Sequence, residues 1–310
     1  MTVLQLAAKL VIFIAIGYVS RKLKVMQDGF DKMLTRFLMG VPLPCMIINS
    51  FNVEFSTSDL VKCPQLLLLA LLSLCLCFAV AQTVYIKMGR TGLAKCSRFA
   101  LMFTNFTFFG LPVVSELYGA QGVFYYVIFT LPMRVAFYGG APLLLGKQGQ
   151  KPDLKETLKK FLCEPVVAVF IGFFLYVTQI HLPAVLQSVL SSVGAMASPL
   201  GLMLCGTIIA DASWSGLLRY PCVFWVAAAR LLVMPAIALG FFLLLGIDKS
   251  MIKAMIFFFA MPVPSFLPTF TLRYNPDEVE GRIAGGYMVV VSTLLCVATV
   301  PLWAYILELI

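Results

Sequence analysis

The stretch Phe103–Val114 reads FTNFTFFGLPVV and lies inside a long apolar run. Thr104, Asn105, Thr107, Gly110 and Pro112 interrupt that run. An asparagine is costly in hydrocarbon unless its amide is hydrogen-bonded. Glycine loosens a helix, and proline frees a backbone carbonyl one turn back. In a bilayer such irregular backbone survives only where it is buried in protein or lines a watery cavity. A second stretch of this kind lies far downstream at Phe257–Phe270, FFFAMPVPSFLPTF, where Pro262, Pro264 and Pro268 stand beside Ser265 and Thr269. Two interrupted helices at corresponding places in two halves of a chain are the sequence mark of a transporter's midplane binding site.

Composition supports a bilayer setting. Of the 310 residues, 61% are hydrophobic and 12% charged, whereas a soluble domain is about half apolar and a quarter charged. The chain is therefore expected to be an all-α membrane protein with the lipid bilayer as a partner. Its net charge of +9 reads as basic loops, with no nucleic acid implied, because no soluble domain is visible to carry such a patch. Of nine cysteines, most lie in apolar runs, among them Cys75, Cys77, Cys205 and Cys296, where cysteine behaves as a small hydrophobe. There is no CxxC, and the sole histidine, His181, falls in a short loop. Neither a metal site nor a cofactor is expected. No P-loop is present, which argues against an ATP-driven pump. The N-terminus lacks the basic start of a cleavable signal peptide, so its apolar run reads as the first span.

Ten segments are long enough to span, given the roughly 20 apolar residues a span needs: 2–20, 30–49, 60–86, 97–117, 120–145, 159–178, 184–209, 217–245, 251–272 and 283–308. Loop cations then alternate. Arg21, Lys22, Lys24 and Lys32 follow span 1, and Lys87, Arg90, Lys95 and Arg98 follow span 3. Lys147, Lys151, Lys155, Lys159 and Lys160 follow span 5, Arg219 follows span 7, and Arg273 and Arg282 follow span 9. These sixteen stand against three on the other side, Lys62, Lys249 and Lys253. Cytoplasmic loops carry the excess, so both termini are expected outside the plasma (inner) membrane.

The polar stretch Gly146–Lys160, GKQGQKPDLKETLKK, divides the chain. The expected organisation is a first five-helix repeat over 1–146, a cytoplasmic linker over 147–158 and a second repeat over 159–310. Five is odd, so the second repeat enters the membrane inverted. Span 4 then corresponds to span 9, and the two interrupted stretches match. Span 2, with Pro42 and Pro44 in GVPLPCMIIN, corresponds to span 7, with Pro199 and Gly201 in MASPLGLMLCG.

The stretches Thr104–Tyr126 (TNFTFFGLPVVSELYGAQGVFYY), Ala260–Gly286 (AMPVPSFLPTFTLRYNPDEVEGRIAGG) and Ser292–Trp303 (STLLCVATVPLW), with the proline-rich span 2, make the chain resemble the auxin efflux carrier family in its short bacterial form. That family belongs to the bile acid/arsenite/auxin transporter superfamily. The resemblance extends over essentially the whole chain. It implies two inverted five-helix repeats, with helices 4 and 9 broken and crossing at the midplane. It implies secondary transport of organic anions: auxin in plants, dicarboxylates such as malate or malonate in bacterial members. The short linker does not support regulation by loop phosphorylation. The plant Asn-Pro pattern is absent, since Asn105 is followed by Phe106.

Candidate substrate-binding residues follow. Asn105 matches the family's helix-4 asparagine, and its amide can donate to a carboxylate or cap the broken helix. Thr104, Thr107, Ser265 and Thr269 offer hydroxyls, or bond their own helices. Gly110, Pro112, Pro262, Pro264 and Pro44 are expected to hold the breaks open, so that helix N-termini face an anion. Lys9 and Arg36 lie near enough to span ends to snorkel. Arg134 and Arg230 lie deeper, and no Asp or Glu falls within the deep part of any span. A deep arginine without a carboxylate is expensive unless it faces protein or water, and it can hold a substrate carboxylate bidentately. Arg134 is the favoured one: Pro132 frees a carbonyl beside it, and Tyr138 lies one turn later on the same face. The competing reading has Arg134 tie helix ends together through carbonyls. Scarce buried carboxylates favour a uniporter or exchanger, or a sodium held by backbone and hydroxyl oxygens; Na+ or H+ as coupling ion and a homodimer stay open. An enzyme is not expected, for want of a nucleophile with its base. A transporter-fold receptor for a small carboxylate is the alternative, though no signalling domain accompanies it.

Overall fold

The computed structural model describes residues 3–52, 56–146, 163–180, 182–211 and 215–310. The expected linker at 147–158, its lysines and His181 lie outside these residues. The described residues form helices joined by short turns, with no strand among them.

Helix α1 is Val3–Lys22, α2 is Phe30–Gly40 and α3 is Pro42–Ser50. Only Val41 separates α2 from α3, and Pro42 opens α3, where its missing N–H costs nothing. Pro44 sits in the first turn of α3. Helix α4 is Thr57–Lys87, capped by the Ser56 hydroxyl, and α5 is Gly92–Met102, capped by Thr91. After Phe103–Asn105 and a π turn at Phe106–Gly110 comes α6, Leu111–Leu145. Then follow α7 (Glu164–Thr178), α8 (Ala184–Ala195), α9 (Ala197–Ala210) and α10 (Cys222–Ala228). A second π turn, Ala229–Val233, leads into α11 (Met234–Leu244). The chain ends with α12 (Lys249–Phe259), α13 (Leu267–Tyr274) and α14 (Val279–Glu308).

Among the described residues, six helical stretches are long and apolar enough to cross a membrane: Phe30–Ser50, Thr57–Lys87, Gly92–Leu145, Ala184–Ala210, Cys222–Leu244 and Val279–Glu308. Helix α7 is apolar but shorter. The Gly92–Leu145 stretch has 54 residues, which at about 1.5 Å each would far exceed a hydrocarbon core of about 30 Å. It does not run straight. Gly119 has φ 59° and ψ −152°, a conformation open to glycine. The chain reverses there, which is why Tyr126 donates to the Phe106 carbonyl at 3.2 Å.

Helix pairing is systematic. Helix α1 packs on α9, and α7 packs on α3. Helix α5 packs on α4 and α14, while α12 packs on α11 and α6. Helix α4 also meets α6, and α10 meets α14.

Polar contacts gather at helix ends. Near the start of α4, Tyr125 donates to Asp59 at 2.6 Å, and Lys62 lies 3.6 Å from Asp248. Toward its other end, Gln82 accepts from Arg98 at 3.0 Å. Arg98 also donates to the Leu144 carbonyl, and Lys95 to that of Gly146, both at 2.8 Å. These two cations satisfy the C-terminus of α6. Arg98, expected in a loop, is a buried residue of α5; its aliphatic stem packs while its head finds carbonyls. Lys9, expected to snorkel, pairs with Glu116 at 2.6 Å. Arg21 bridges Asp28 and Asp211, each at 2.6 Å, and so ties α1 to the end of α9.

Candidate functional site

Both interrupted stretches leave helical conformation, and they meet. The backbone N–H of Asn105 donates to the Pro262 carbonyl at 2.8 Å. Freed backbone groups must find partners when water is absent, and here they do. At the first break, the Phe106 carbonyl accepts from Tyr126, and the Phe108 N–H donates to Asn105 Oδ1 at 3.2 Å. At the second, Ala260 O accepts from Cys296 Sγ at 3.5 Å, and Val263 N–H donates to Ser292 Oγ at 3.0 Å. Ser292 and Cys296 stand in an apolar helix; only their placement beside the break gives them this task.

Asn105 joins three elements. Its Oδ1 caps the π turn, its Nδ2 donates to Ser265 Oγ at 3.0 Å, and the same nitrogen lies 3.9 Å from Cys205 Sγ in α9. Its amide is thus engaged with protein. Gly110 admits Tyr126: a Cβ at that position would overlap the tyrosine hydroxyl. Pro112 falls in the first turn of α6, a position proline favours. Pro262 supplies the carbonyl that Asn105 binds, and Pro264 lines the cleft described next.

Thr104, Asn105, Thr107, Tyr138, Pro264 and Ser265 line one cleft, walled by Phe106, Phe108, Phe137 and Phe266. Its volume is about 20 Å³. The N-terminal ends of the π turn and of α13 border it. Thr104 Oγ1 is buried without a partner. Thr269 is not brought here: it is exposed on α13, away from the cleft. Pro44 likewise does not line it. Ser265 belongs also to a second cavity of about 350 Å³, which reaches Asp31, Asp211 and Arg282.

Arg134 is 1% exposed. One amino nitrogen donates to Thr107 Oγ1 at 3.0 Å, and the guanidinium carbon lies 4.8 Å from the centre of the Phe106 ring. Its other amino nitrogen is buried with no acceptor. The carbonyl freed by Pro132 does not take it, and Tyr138 lines the cleft without bonding it. No carboxylate pairs with it among the described residues. The role of tying helix ends through carbonyls, weighed for Arg134, is performed by Arg230. Arg230 donates to Leu101 O at 2.7 Å and to Phe258 O at 3.1 Å. Among the described residues no group of His, Cys, Asp and Glu is arranged to hold a metal ion.

Comparison with known proteins agrees with this architecture. No curated protein matches the chain. The family described as "Membrane transport protein" matches residues 2–304 of the 310. With its apolar helices and its two touching helix breaks, the chain is a multi-pass membrane transport protein belonging to the auxin efflux carrier family.

Proposed function

We propose that this protein is a secondary transporter that moves small organic anions across the plasma membrane by alternating access. The substrates are mono- or dicarboxylates such as malate or malonate, or auxin-like carboxylates. The observation that carries this reading is Arg134: a buried cation with, among the described residues, no carboxylate partner and one amino nitrogen without an acceptor, bonded to a residue of the cleft where the breaks meet. A substrate carboxylate completes that guanidinium with charge-assisted hydrogen bonds. The bordering helix N-termini add favourable dipoles. Thr104, Thr107, Ser265, Asn105 and Tyr138 supply polar contacts around it.

The proposed architecture is ten spans in two inverted repeats, 1–146 and 159–310, joined by a linker at 147–158. The broken spans 4 and 9 cross at the midplane, and both termini are outside. Two features support it. The helix pairings exchange under a shift of five spans: α1 on α9 corresponds to α7 on α3, and α5 on α14 to α12 on α6. The loop cations also alternate in number from side to side. A cleft of about 20 Å³ has room for one water and for no carboxylic acid. A carrier with this site must open it in another conformation, with the cavity that shares Ser265 as the path to one side.

The test is uptake of radiolabelled malonate, malate and indole-3-acetate into proteoliposomes by wild type, Arg134→Lys and Arg134→Gln. Wild type is expected to show saturable uptake. Lys, which keeps the charge but not the fork, is expected to bind more weakly, and Gln to lose uptake. Unchanged affinity in a folded Gln variant removes Arg134 from the site. Binding without uptake in wild type favours the receptor.

A further inference from the structure

Arg230 is fully buried, and no carboxylate pairs with it among the described residues. Its two amino nitrogens reach two different helices. Leu101, which accepts at 2.7 Å, is the penultimate residue of α5. Phe258, which accepts at 3.1 Å, is the penultimate residue of α12. The two breaks begin immediately beyond these helices, at Phe103 and Ala260.

This arrangement answers two physical requirements at once. The last carbonyls of a helix have no partner within it. The C-terminal end of a helix also carries roughly half an elementary negative charge. Two such ends converge on one guanidinium, so the cation is balanced without any acid. The planar fork suits two acceptors in fixed directions, which an ammonium does not. The residue is itself carried on the π turn Ala229–Val233. In that turn Leu231 O accepts from Trp303 Nε1 at 2.8 Å, so α14 holds the turn that holds the clamp.

We infer that Arg230 is a positioning residue: it locks the ends of α5 and α12 together, so that both helix breaks move as one unit and keep the cleft in register. It bonds to no residue that lines the cleft. Its effect on substrate affinity rests on the transport reading above; its effect on the two breaks does not.

The experiment is hydrogen–deuterium exchange by mass spectrometry on the full-length protein in detergent. Wild type is compared with Arg230→Gln, Arg230→Lys and the milder Trp303→Phe, which removes the donor that steadies the π turn. Malonate affinity is measured in parallel. In Arg230→Gln, exchange is expected to rise tenfold or more at both 103–110 and 260–266, with peptides of α4 unchanged and malonate affinity lowered at least tenfold. Arg230→Lys is expected to give the same pattern at smaller amplitude, and Trp303→Phe a few-fold rise at both breaks. A rise at one break only, a rise confined to 229–233, or no change overturns the proposal. If Arg230→Gln does not fold, the other two variants decide by the same criterion. If wild type does not bind malonate, that substrate fails while the exchange pattern still decides the role of Arg230.

Discussion

Replacing Arg134 by methionine should stabilise the empty protein while removing its response to carboxylate. The guanidinium makes one hydrogen bond, to Thr107 at 3.0 Å, and stacks over Phe106 at 4.8 Å. Losing the bond costs about 2 kcal/mol, since the donor is charged. Losing a desolvated cation–π contact costs about 1–2 kcal/mol. Against this, an uncompensated buried charge is worth about 3–5 kcal/mol of destabilisation, and its buried amino nitrogen without an acceptor adds about 1–3 kcal/mol. The balance favours methionine by up to about 5 kcal/mol, with a midpoint of about 2.5 kcal/mol. At roughly 2 °C per kcal/mol for a chain of this size, the midpoint corresponds to a rise of about 5 °C in the melting temperature of the detergent-purified variant. Ligand should reverse the order. At 100 times its Kd, a carboxylate stabilises wild type by about 2.7 kcal/mol and the variant not at all, so the two melting curves should cross as malonate is titrated in. A variant that melts several degrees below wild type without ligand would make Arg134 a structural tie. Equal shifts in both proteins would place the carboxylate elsewhere.

Three further outcomes are expected. Gly110→Ala pushes a methyl group into the Tyr126 hydroxyl and should cost about 1–3 kcal/mol, read as a lower melting temperature that Tyr126→Phe in the same chain partly restores; no loss in the single variant would show that the contact yields freely. A cysteine at Lys249, an exposed position on the side opposite the basic loops, should react with impermeant maleimide in intact cells, whereas one at Lys24 should react only after permeabilisation; the reverse pattern would invert the orientation. Asp248, in the turn before α12, is held below the ordinary carboxylate range chiefly by the Ser250 hydroxyl; burial opposes this, and the Ser250 backbone N–H and nearby Lys62 add smaller lowering effects. A depressed carboxyl stabilises the fold above the unfolded pKa of about 3.9 and loses that contribution as pH falls through the folded value. Melting temperature should therefore decline as pH is lowered below about 4, and Asp248→Asn should flatten that decline; an identical slope in the variant would remove Asp248 as its source.

Much of this was legible in the sequence because it is local. Helix-forming apolar runs, the proline and glycine interruptions at Phe103–Val114 and Phe257–Phe270, and the alternation of basic loops all depend on neighbours along the chain. Hydrocarbon makes them decisive, since a backbone group left unpaired there has no water to turn to. The burial of Arg134 followed from its depth along α6, and its lack of an acid from composition. What the sequence could not give was distance between elements. That Asn105 N–H meets Pro262 O, that its side chain is spent on Ser265 and a helix cap, and that Thr269 points away from the cleft depend on how α13 turns after its break. Likewise the two deep arginines look alike in a list of residues. Each keeps one buried nitrogen without an acceptor, Nε in Arg230 and an amino nitrogen in Arg134, but only packing gives Arg230 two helix ends to hold and leaves Arg134 with one hydroxyl. A guanidinium's role is set by the acceptors within about 3 Å of it, and in this fold those acceptors come from residues more than a hundred positions away as readily as from its own helix.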